Sequence, residues 1–207
     1  MEHLAMDEVG VYPDQIKITD VESQYLSLYD YLSEVVGEVP PGANGVIFTP
    51  WLHGNRCPFE DSKAGGMFFN IRVENGKSDM LRAVLEGVCF HLRWLLEHER
   101  KKVKTSDIIR FVGGGALSPV TCQVLADITG CTIETISNPQ SVGAIGAALV
   151  VAAGIKNEDV LELARRLVTV EHTYAPNPAN KEIYERNYRV FKELYKANAK
   201  LFGALNG

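Results

Sequence analysis

Three consecutive glycines, Gly113, Gly114 and Gly115, separate an apolar run from an amphipathic stretch in FVGGGALSPVTCQVLADITG, residues 111–130. Glycine weakens regular structure, so three in a row indicate a left-handed backbone or a close approach to the main chain. A glycine-rich turn that leads from a strand into a helix leaves backbone N–H groups free at the positive end of the helix dipole, which suits a phosphate. The structural alternative is a tight turn that only brings strand and helix together.

The spacing of these glycines differs from both common nucleotide-binding motifs. GGGALSP has no third glycine at the place that GxGxxG requires, and no lysine follows as in GxxxxGK[ST]. An oxidoreductase domain would need the dinucleotide fingerprint and a ribose-binding acid after it, and the sequence has neither. That class is therefore disfavoured, and the motif alone does not decide between phosphate binding and a tight turn.

Three carboxylates lie nearest to the motifs, and none is predicted to be catalytic. We expect Asp61 to brace its loop, Glu86 to pair with Arg82 four residues earlier, and Asp127 to lie on a solvated helix face.

The histidines do not predict a metal site. His91 and His98 share a helical stripe but are two turns apart, and His53 is isolated in its loop. Metal ligands need closer spacing than this. No metal-ligating residue is therefore assigned.

The elements that must position the glycine turn follow from hydrophobic spacing. The first half predicts a helix over 20–36, a strand over 45–50, a long structured loop to residue 66, a strand over 67–73 and a helix over 78–100. The second half predicts a strand over 108–112, a helix capped by Ser118 with Pro119 at its first position and ended by Gly130, a strand over 132–136, helices over 141–154 and 158–167, and a long C-terminal helix over 180–204. Strands that alternate with helices indicate an α/β sheet in a single domain, residues 1–207.

Two of these helices have unusual surfaces. The helix over 78–100 has two apolar faces, which predicts two packing partners, and a charged stripe formed by Arg82, Glu86, Arg93 and Glu97. The helix over 141–154 has a flank nearly without side chains, at Gly143, Ala144, Gly146, Ala147 and Ala148. Either a neighbouring helix packs against that flank, or the flank forms one side of a slot for an adenine whose phosphates reach the glycine turn.

Composition limits the class of protein. The net charge is −5, and the lysines and arginines form no basic cluster, which argues against nucleic acid as a partner. The four cysteines are far apart and form no CxxC pair, so we expect reduced thiols and a cytoplasmic location. The acidic N-terminus is unlike a signal peptide, and no apolar stretch is expected to be long enough to span a bilayer.

The sequence resembles the FGGY carbohydrate kinases, in particular their xylulokinase-like members, over residues 45–155. FTPWLHGNRCPFED (48–61) is similar to the family's loop PYLxGERxPxxD, and LRAVLEGVCFHLRWLLE (81–97) is similar to its long central helix. GGGALSPVTCQVLADITG resembles the phosphate loop with its helix, and SVGAIGAALVVAAG (141–154) resembles the helix that closes the adenine pocket. Four stretches in order are more specific than any one of them.

The resemblance implies a ribonuclease-H-like, actin-like domain, the C-terminal one of two. It implies ATP and Mg²⁺ as cofactors, with Gly113, Gly114, Gly115 and Ser118 at the nucleotide and Gln123 as a weaker candidate for the pocket wall. It places the catalytic aspartate and the sugar-binding residues upstream of this chain, in an N-terminal kinase domain, so the chain alone is expected to be inactive. Homo-oligomers remain an option, because apolar surface that normally meets the N-terminal domain would be exposed.

The chain departs from the family at one point. The family's ARG after the long loop appears here as Ala64-Gly65-Gly66, so any role of that arginine is absent. The favoured hypothesis is the nucleotide-binding half of a kinase that phosphorylates xylulose or a related ketose or polyol. The alternative is a non-catalytic nucleotide-binding or interaction module of the same fold.

Overall fold

The computed structural model describes residues 27–207, and it begins with a capped helix. Helix α1 spans Leu28–Glu38, and the Ser27 hydroxyl accepts a hydrogen bond from the Asp30 N–H at 3.2 Å. This cap satisfies one of the free N–H groups of the first turn. The described helix begins at Leu28, and residues 20–26 of the helix predicted over 20–36 lie outside the described residues.

The first two strands form a short antiparallel pair. Strand β1 (Ile47–Thr49) pairs antiparallel with β2 (Met67–Phe69), with Ile47 opposite Phe69. Both strands are shorter than predicted, but all three β1 residues are buried, as an apolar run should be. The 17 residues between them form the structured loop that the sequence indicated.

Helix α2 (Lys77–Arg100) lies directly on β1, and a glycine makes this approach possible. A Cβ on Gly87 would be 2.2 Å from the carbonyl oxygen of Phe48, so no other residue fits there without moving the helix. The Asp79 carboxylate accepts the Gly76 N–H at 2.9 Å and caps the start of the helix.

The glycine-rich segment folds as a strand, a turn and a helix. Strand β3 (Ile108–Arg110) is followed by a single 3₁₀ turn over Gly114–Leu117 and then by α3 (Pro119–Thr129). The Ser118 hydroxyl accepts the Thr121 N–H at 3.2 Å, and Gly130 ends the helix with φ +69°. Ser118, Pro119 and Gly130 thus begin and end α3 as predicted.

The main sheet has three strands in the order β3-β4-β5. Strand β4 (Thr132–Ile136) lies parallel to β3 and antiparallel to β5 (Val170–Tyr174), and helices α4 (Val142–Lys156) and α5 (Val160–Leu167) connect β4 to β5. The sequence prediction missed β5, although its run VEHTY holds β-branched and aromatic residues with a partial alternation. The α/β class is confirmed, with a mixed sheet.

Helix α6 (Lys181–Asn206) closes the core with an aromatic stripe. Tyr184, Tyr188 and Phe191 are at most 1% exposed, and Phe191 lies 5.6–5.7 Å from the rings of Phe90 and Trp51. Tilted and edge-on rings at this distance stabilise a core beyond their buried area. The C-terminal helix predicted over 180–204 is therefore confirmed, and its stripe fixes it against α2.

The charged stripe of α2 divides into a buried half and an outer half. Arg82 and Glu86 are 5% and 1% exposed, whereas Arg93 and Glu97 lie nearer the surface and pair with each other at 3.2 Å. The sequence predicted the Arg82–Glu86 pair but not its burial. The spacing of charges on a helix does not reveal that a second helix, α6, covers them.

Helix α4 is mostly exposed, with Ala153 as its buried residue. A Cβ on Gly143 or Gly146 would meet nothing within 4 Å, so among residues 27–207 no helix packs against the small-residue flank. The segment Pro139–Lys156 has 18 residues and a mean hydropathy of 1.3, with 11% of it buried. By length and composition this segment could cross a bilayer, so the expectation that no apolar stretch is long enough was wrong. Length and composition alone do not assign a membrane span.

Candidate functional site

A cavity of about 770 Å³ opens between α1 and the glycine turn. Such a volume suits a nucleotide-sized ligand. Its walls come from α1 along most of its length, one residue of α2, the glycine turn with the start of α3, and Gln140 after β4. The lining residues are Ser27, Tyr29, Asp30, Leu32, Ser33, Val36, Leu85, Gly114, Gly115, Leu117, Ser118, Val120, Thr121 and Gln140.

The three glycines have different roles in the turn. Gly113 has φ +90° and donates its N–H to the Pro139 carbonyl at 2.8 Å, so it links the turn to the segment after β4. The N–H groups of Gly114 and Gly115 have no acceptor in the described part of the chain. These two N–H groups begin the 3₁₀ turn, where donors are left without an intrahelical partner. Gly114 and Gly115 line the cavity, and Gly113 does not.

Space at Gly114 is open, in contrast to Gly87. A Cβ on Gly114 would have one neighbour within 4 Å, the Gln140 Nε2 at 4.0 Å, whereas a Cβ on Gly115 would lie 3.0 Å from the Phe111 ring. The described fold therefore gives Gly115 a packing reason and gives Gly114 none. A glycine kept where a side chain would fit leaves room for a ligand to approach the backbone.

Ser118 lies at the junction of the glycine turn and α3, where it was expected. Its hydroxyl caps α3 through Thr121 and also forms a hydrogen bond with the hydroxyl of Ser33 from α1. An apolar wall of the cavity is formed by Leu32 and Val36 of α1, Leu85 of α2 and Val120 of α3. A glycine turn with free N–H groups beside an apolar wall is an arrangement that a nucleotide can fill.

A buried ionic network holds α1 in place as that wall. The Arg82 guanidinium donates to the Val36 carbonyl in the last turns of α1 at 3.1 Å, to Glu86 Oε1 at 2.7 Å and to the Tyr184 hydroxyl at 2.8 Å. Glu86 Oε1 also accepts the Gly42 N–H at 2.9 Å. The network thus connects α1, α2, α6 and the segment before β1.

The ionisation of this network follows from its burial. Burial raises the pKa of the Glu86 carboxyl above its ordinary value, against the lowering effect of the Arg82 guanidinium. Burial lowers the pKa of Arg82, but Tyr184 and Glu86 more than offset that and raise it. Glu86 does not line the cavity, and its contacts are those of the buried network.

Gln123 points away from the cavity. Its amide donates to the Ala175 carbonyl at 2.8 Å and to Asp127 Oδ1 at 2.7 Å. Asp127 also accepts the Asn177 N–H at 2.8 Å and the Asn180 side chain at 2.6 Å. The prediction that Asp127 lies on a solvated face was wrong, because the segment before α6 folds back over it.

Most of the cavity lining was missed by the sequence prediction, which named Gly114, Gly115 and Ser118, and two of the missed residues are Ser33 and Gln140. Ser33 belongs to no motif, and its place is set by the packing of α1 against α3. Gln140 had a usable signal, because the carboxyl ends of the parallel strands β3 and β4 meet at one edge of the sheet, where ligands bind in α/β folds. One of the two readings of the small residues of α4 made them a side of an adenine slot, and none of them lines this cavity.

The long loop is braced as predicted, but it lies apart from the cavity. Asn55 and Asp61 exchange backbone hydrogen bonds at 2.8 Å, and the Asp61 carboxylate accepts the Lys63 N–H at 2.9 Å and the Tyr195 hydroxyl at 3.1 Å. The Phe59 ring stacks on Tyr195 at 3.6 Å. Asp61 therefore fixes the loop against α6.

His91 of α2 is half-buried beneath the same loop. It hydrogen-bonds the backbone of Cys57, while its Nδ1 has no partner among residues 27–207. Burial lowers the pKa of His91, and the hydrogen bond to Cys57 opposes part of that shift.

The described residues do not provide a metal site by themselves. Within residues 27–207 no group of three His, Cys, Asp or Glu side chains could hold a metal ion, and Asp30 is the carboxylate that lines the cavity. All four cysteines are free thiols, and Cys89, Cys122 and Cys131 are buried. Burial raises the pKa of Cys122 to about 11, so it is an unreactive core residue.

Comparison with known proteins gives one consistent family. Residues 18–155 match the model of the C-terminal domain of the FGGY family of carbohydrate kinases. The xylulose kinase of Lactococcus lactis is 36% identical over 179 residues, which cover 85% of this chain and 35% of that kinase. The chain therefore spans about a third of the length of the curated relatives it matches.

Solved structures agree with the sequence match. A ligand-bound xylulose kinase from Lactobacillus acidophilus has a TM-score of 0.76 at 28% identity, covering 85% of this chain and 36% of that one. A gluconate kinase from the same organism has a TM-score of 0.77 at 25% identity, covering 98% of this chain and 39% of that one. The fold is the ribonuclease-H-like, actin-like fold that the resemblance implied.

Proposed function

The chain belongs to the FGGY family of carbohydrate kinases and corresponds to their C-terminal domain, and on this premise we propose that it is the nucleotide-binding part of an ATP-dependent sugar kinase. In this proposal residues 1–207 form one domain. The reaction is transfer of the γ-phosphate of ATP to a hydroxyl of xylulose or a related ketose or polyol. The kinase is cytoplasmic, in keeping with its free thiols.

One observation carries the nucleotide assignment. The cavity combines two unpaired backbone N–H groups, at Gly114 and Gly115, with an apolar wall from α1 and α3. The N–H groups suit the phosphates, and the apolar wall suits a purine. The open space at Gly114 supports a ligand there, because the described fold does not itself need a glycine.

The remaining parts of the reaction are assigned to another domain. Phosphoryl transfer needs a general base for the sugar hydroxyl, a metal ion to neutralise the phosphates, and alignment of the attacking and leaving oxygens. The carboxylate that lines the cavity, Asp30, accepts a hydrogen bond from the Ser27 hydroxyl at 2.8 Å, and within residues 27–207 no group of three ligands could hold a metal ion. We assign the base and the sugar site to an N-terminal kinase domain, and Mg²⁺ to the phosphates of the nucleotide itself.

A non-catalytic module is the second candidate, and the segment Ala64-Gly65-Gly66 favours it. A Cβ on Gly65 would lie 3.6 Å from the Phe202 ring and 3.8 Å from Asn206. These are ordinary contact distances, so the fold does not require glycine at residue 65, and glycine supplies neither the length nor the charge of the family's arginine. A role that depends on that arginine is therefore closed to this chain, and nucleotide binding without transfer would be the outcome.

The nucleotide assignment is tested by calorimetry with ADP. Gly114→Val places a side chain among the free N–H groups, and we expect ADP binding to be lost while the melting temperature stays the same. Gly154→Val is the matched control, since Gly154 is also open, on α4 away from the cavity. ADP affinity that is equal in the unmodified chain and Gly114→Val would overturn the assignment.

The kinase assignment is tested by a coupled ADP-release assay. The panel contains D-xylulose, other pentuloses, hexuloses and polyols with ATP and Mg²⁺. We expect no turnover from this chain alone, and sugar-dependent turnover when an N-terminal kinase domain is added, because transfer needs both sides of a closed cleft. Turnover by the chain alone would place the base within residues 1–207. ADP binding without turnover in either case would favour the non-catalytic module.

A further inference from the structure

Two hydroxyls join the opposite walls of the cavity. Ser33 on α1 and Ser118 at the start of α3 are 85 residues apart in the chain, form a hydrogen bond with each other and both line the cavity. Both side chains are half-buried. The pair is the place where α1 and the glycine turn meet through polar atoms.

The hydrogen-bonding capacity of this pair is not used up by the described fold. Each hydroxyl has one hydrogen and two acceptor positions. One hydrogen and one acceptor position serve the bond between the serines, and the Thr121 N–H takes a second acceptor position, on Ser118. One hydrogen and two acceptor positions remain, and no described residue takes them.

The position of the pair decides which part of a nucleotide it would meet. Ser118 lies three residues after Gly115, beyond the two N–H groups that suit the phosphates. Leu32, Val36 and Val120, each within three residues of one of the two serines in the chain, also line the cavity. A group that can both donate and accept, set in an apolar wall beyond the phosphate turn, matches a ribose hydroxyl or the polar edge of a base.

We propose that Ser33, which is hydrogen-bonded to Ser118, contacts the nucleoside part of the bound nucleotide and is a specificity-determining residue. Ser118 has a second duty as the cap of α3, so Ser33 is the member whose hydroxyl is kept for the ligand. This inference rests on the proposed function, since it takes the glycine turn as the phosphate site. It makes α1 a wall that recognises the ligand.

The experiment measures the affinities of the 207-residue chain for ADP, adenosine and pyrophosphate by calorimetry. Loss of one hydrogen bond in Ser33→Ala should weaken ADP and adenosine by the same factor, roughly threefold to tenfold, and leave pyrophosphate unchanged. Ser33→Thr keeps the hydroxyl and should restore both affinities. Ser62→Ala, at an exposed serine in the long loop, is the matched control and should change none of them.

Three outcomes would contradict the inference. Unchanged ADP and adenosine affinity in Ser33→Ala would overturn it alone, provided that Gly114→Val still abolishes ADP binding. Equal weakening of pyrophosphate would show that Ser33 only shapes the cavity, since pyrophosphate has no nucleoside. Failure of the unmodified chain to bind ADP and adenosine would overturn this inference together with the proposed function.

Discussion

Two glycines on opposite sides of the core show two different reasons for the same residue. At Gly87 a Cβ would lie 2.2 Å from the Phe48 carbonyl oxygen, so the contact of α2 with β1 requires glycine. At Gly114 a Cβ would find one atom, at 4.0 Å, and the backbone has no positive φ. The first glycine serves the fold, and the second leaves space that the fold does not use.

The difference separates a part of the molecule that stabilises the fold from the part that we propose to bind the nucleotide. The region around Gly87 is closed by Phe90, Tyr184 and the Arg82–Glu86 pair, all at most 5% exposed. The region around Gly114 has unpaired N–H groups and exposed side chains. Substitutions should therefore affect stability in the first region and ligand affinity in the second.

Gly87→Ala is the largest expected effect. The new methyl group would meet a backbone oxygen that cannot rotate away, and overpacking of this kind costs about 3 kcal/mol of unfolding free energy. Urea denaturation would measure the loss. Gly114→Ala is the matched control, expected to stay within about 0.5 kcal/mol, as surface substitutions usually do. Similar losses at both positions would break the distinction between the two glycines.

Tyr184→Phe tests the network that holds α1 against α2. It removes the hydroxyl that lies 2.8 Å from the Arg82 guanidinium and 3.1 Å from Glu86 Oε1, and buried partners left unsatisfied cost about 1–3 kcal/mol. Tyr195→Phe removes a half-buried hydroxyl bonded to Asp61 and should cost less. If denaturation shows the reverse order, the buried network does not dominate the stability of this region.

The smallest expected effect is that of His91 on the pH dependence of the free energy of unfolding. Because burial lowers the pKa of His91 in the folded chain, the unfolded chain takes up a proton first as the pH falls. Its contribution to stability is therefore complete above a pH of about 6.5 and is lost as the pH falls through the lower folded pKa. Melting temperatures measured from neutral to mildly acidic pH should fall less in His91→Gln, and parallel curves would contradict this.

The sequence predicted most elements of the fold because their spacing and punctuation are local. The cap at Ser118, the stop at Gly130 and the aromatic stripe of α6 are set by neighbouring residues. Strand β5 was missed because its residues are mostly exposed and its pairing with β4 is made across two helices. Local patterns do not record such distant pairing.

The candidate site was predicted on one side only. The glycine turn and Ser118 are marked by residue type, so their part in the cavity could be expected. Ser33 has no sequence signal of its own, and its hydrogen bond in the cavity is made with Ser118, 85 residues later in the chain. Gln123 follows helical spacing toward the expected pocket, but the segment before α6 offered its amide better acceptors.

The bond from the Gly113 N–H to the Pro139 carbonyl divides the amides of the glycine turn into two kinetic classes. A hydrogen-bonded amide exchanges its proton with solvent only when the structure opens, whereas the unpaired amides of Gly114 and Gly115 are free to exchange without such opening. Three adjacent glycines would thus differ in exchange rate although their chemistry is identical. Bound phosphate would slow amide exchange at Gly114 and Gly115 and leave the exchange rate of Gly113 unchanged. The Gly113 amide would therefore be an internal reference for occupancy of the turn by a ligand.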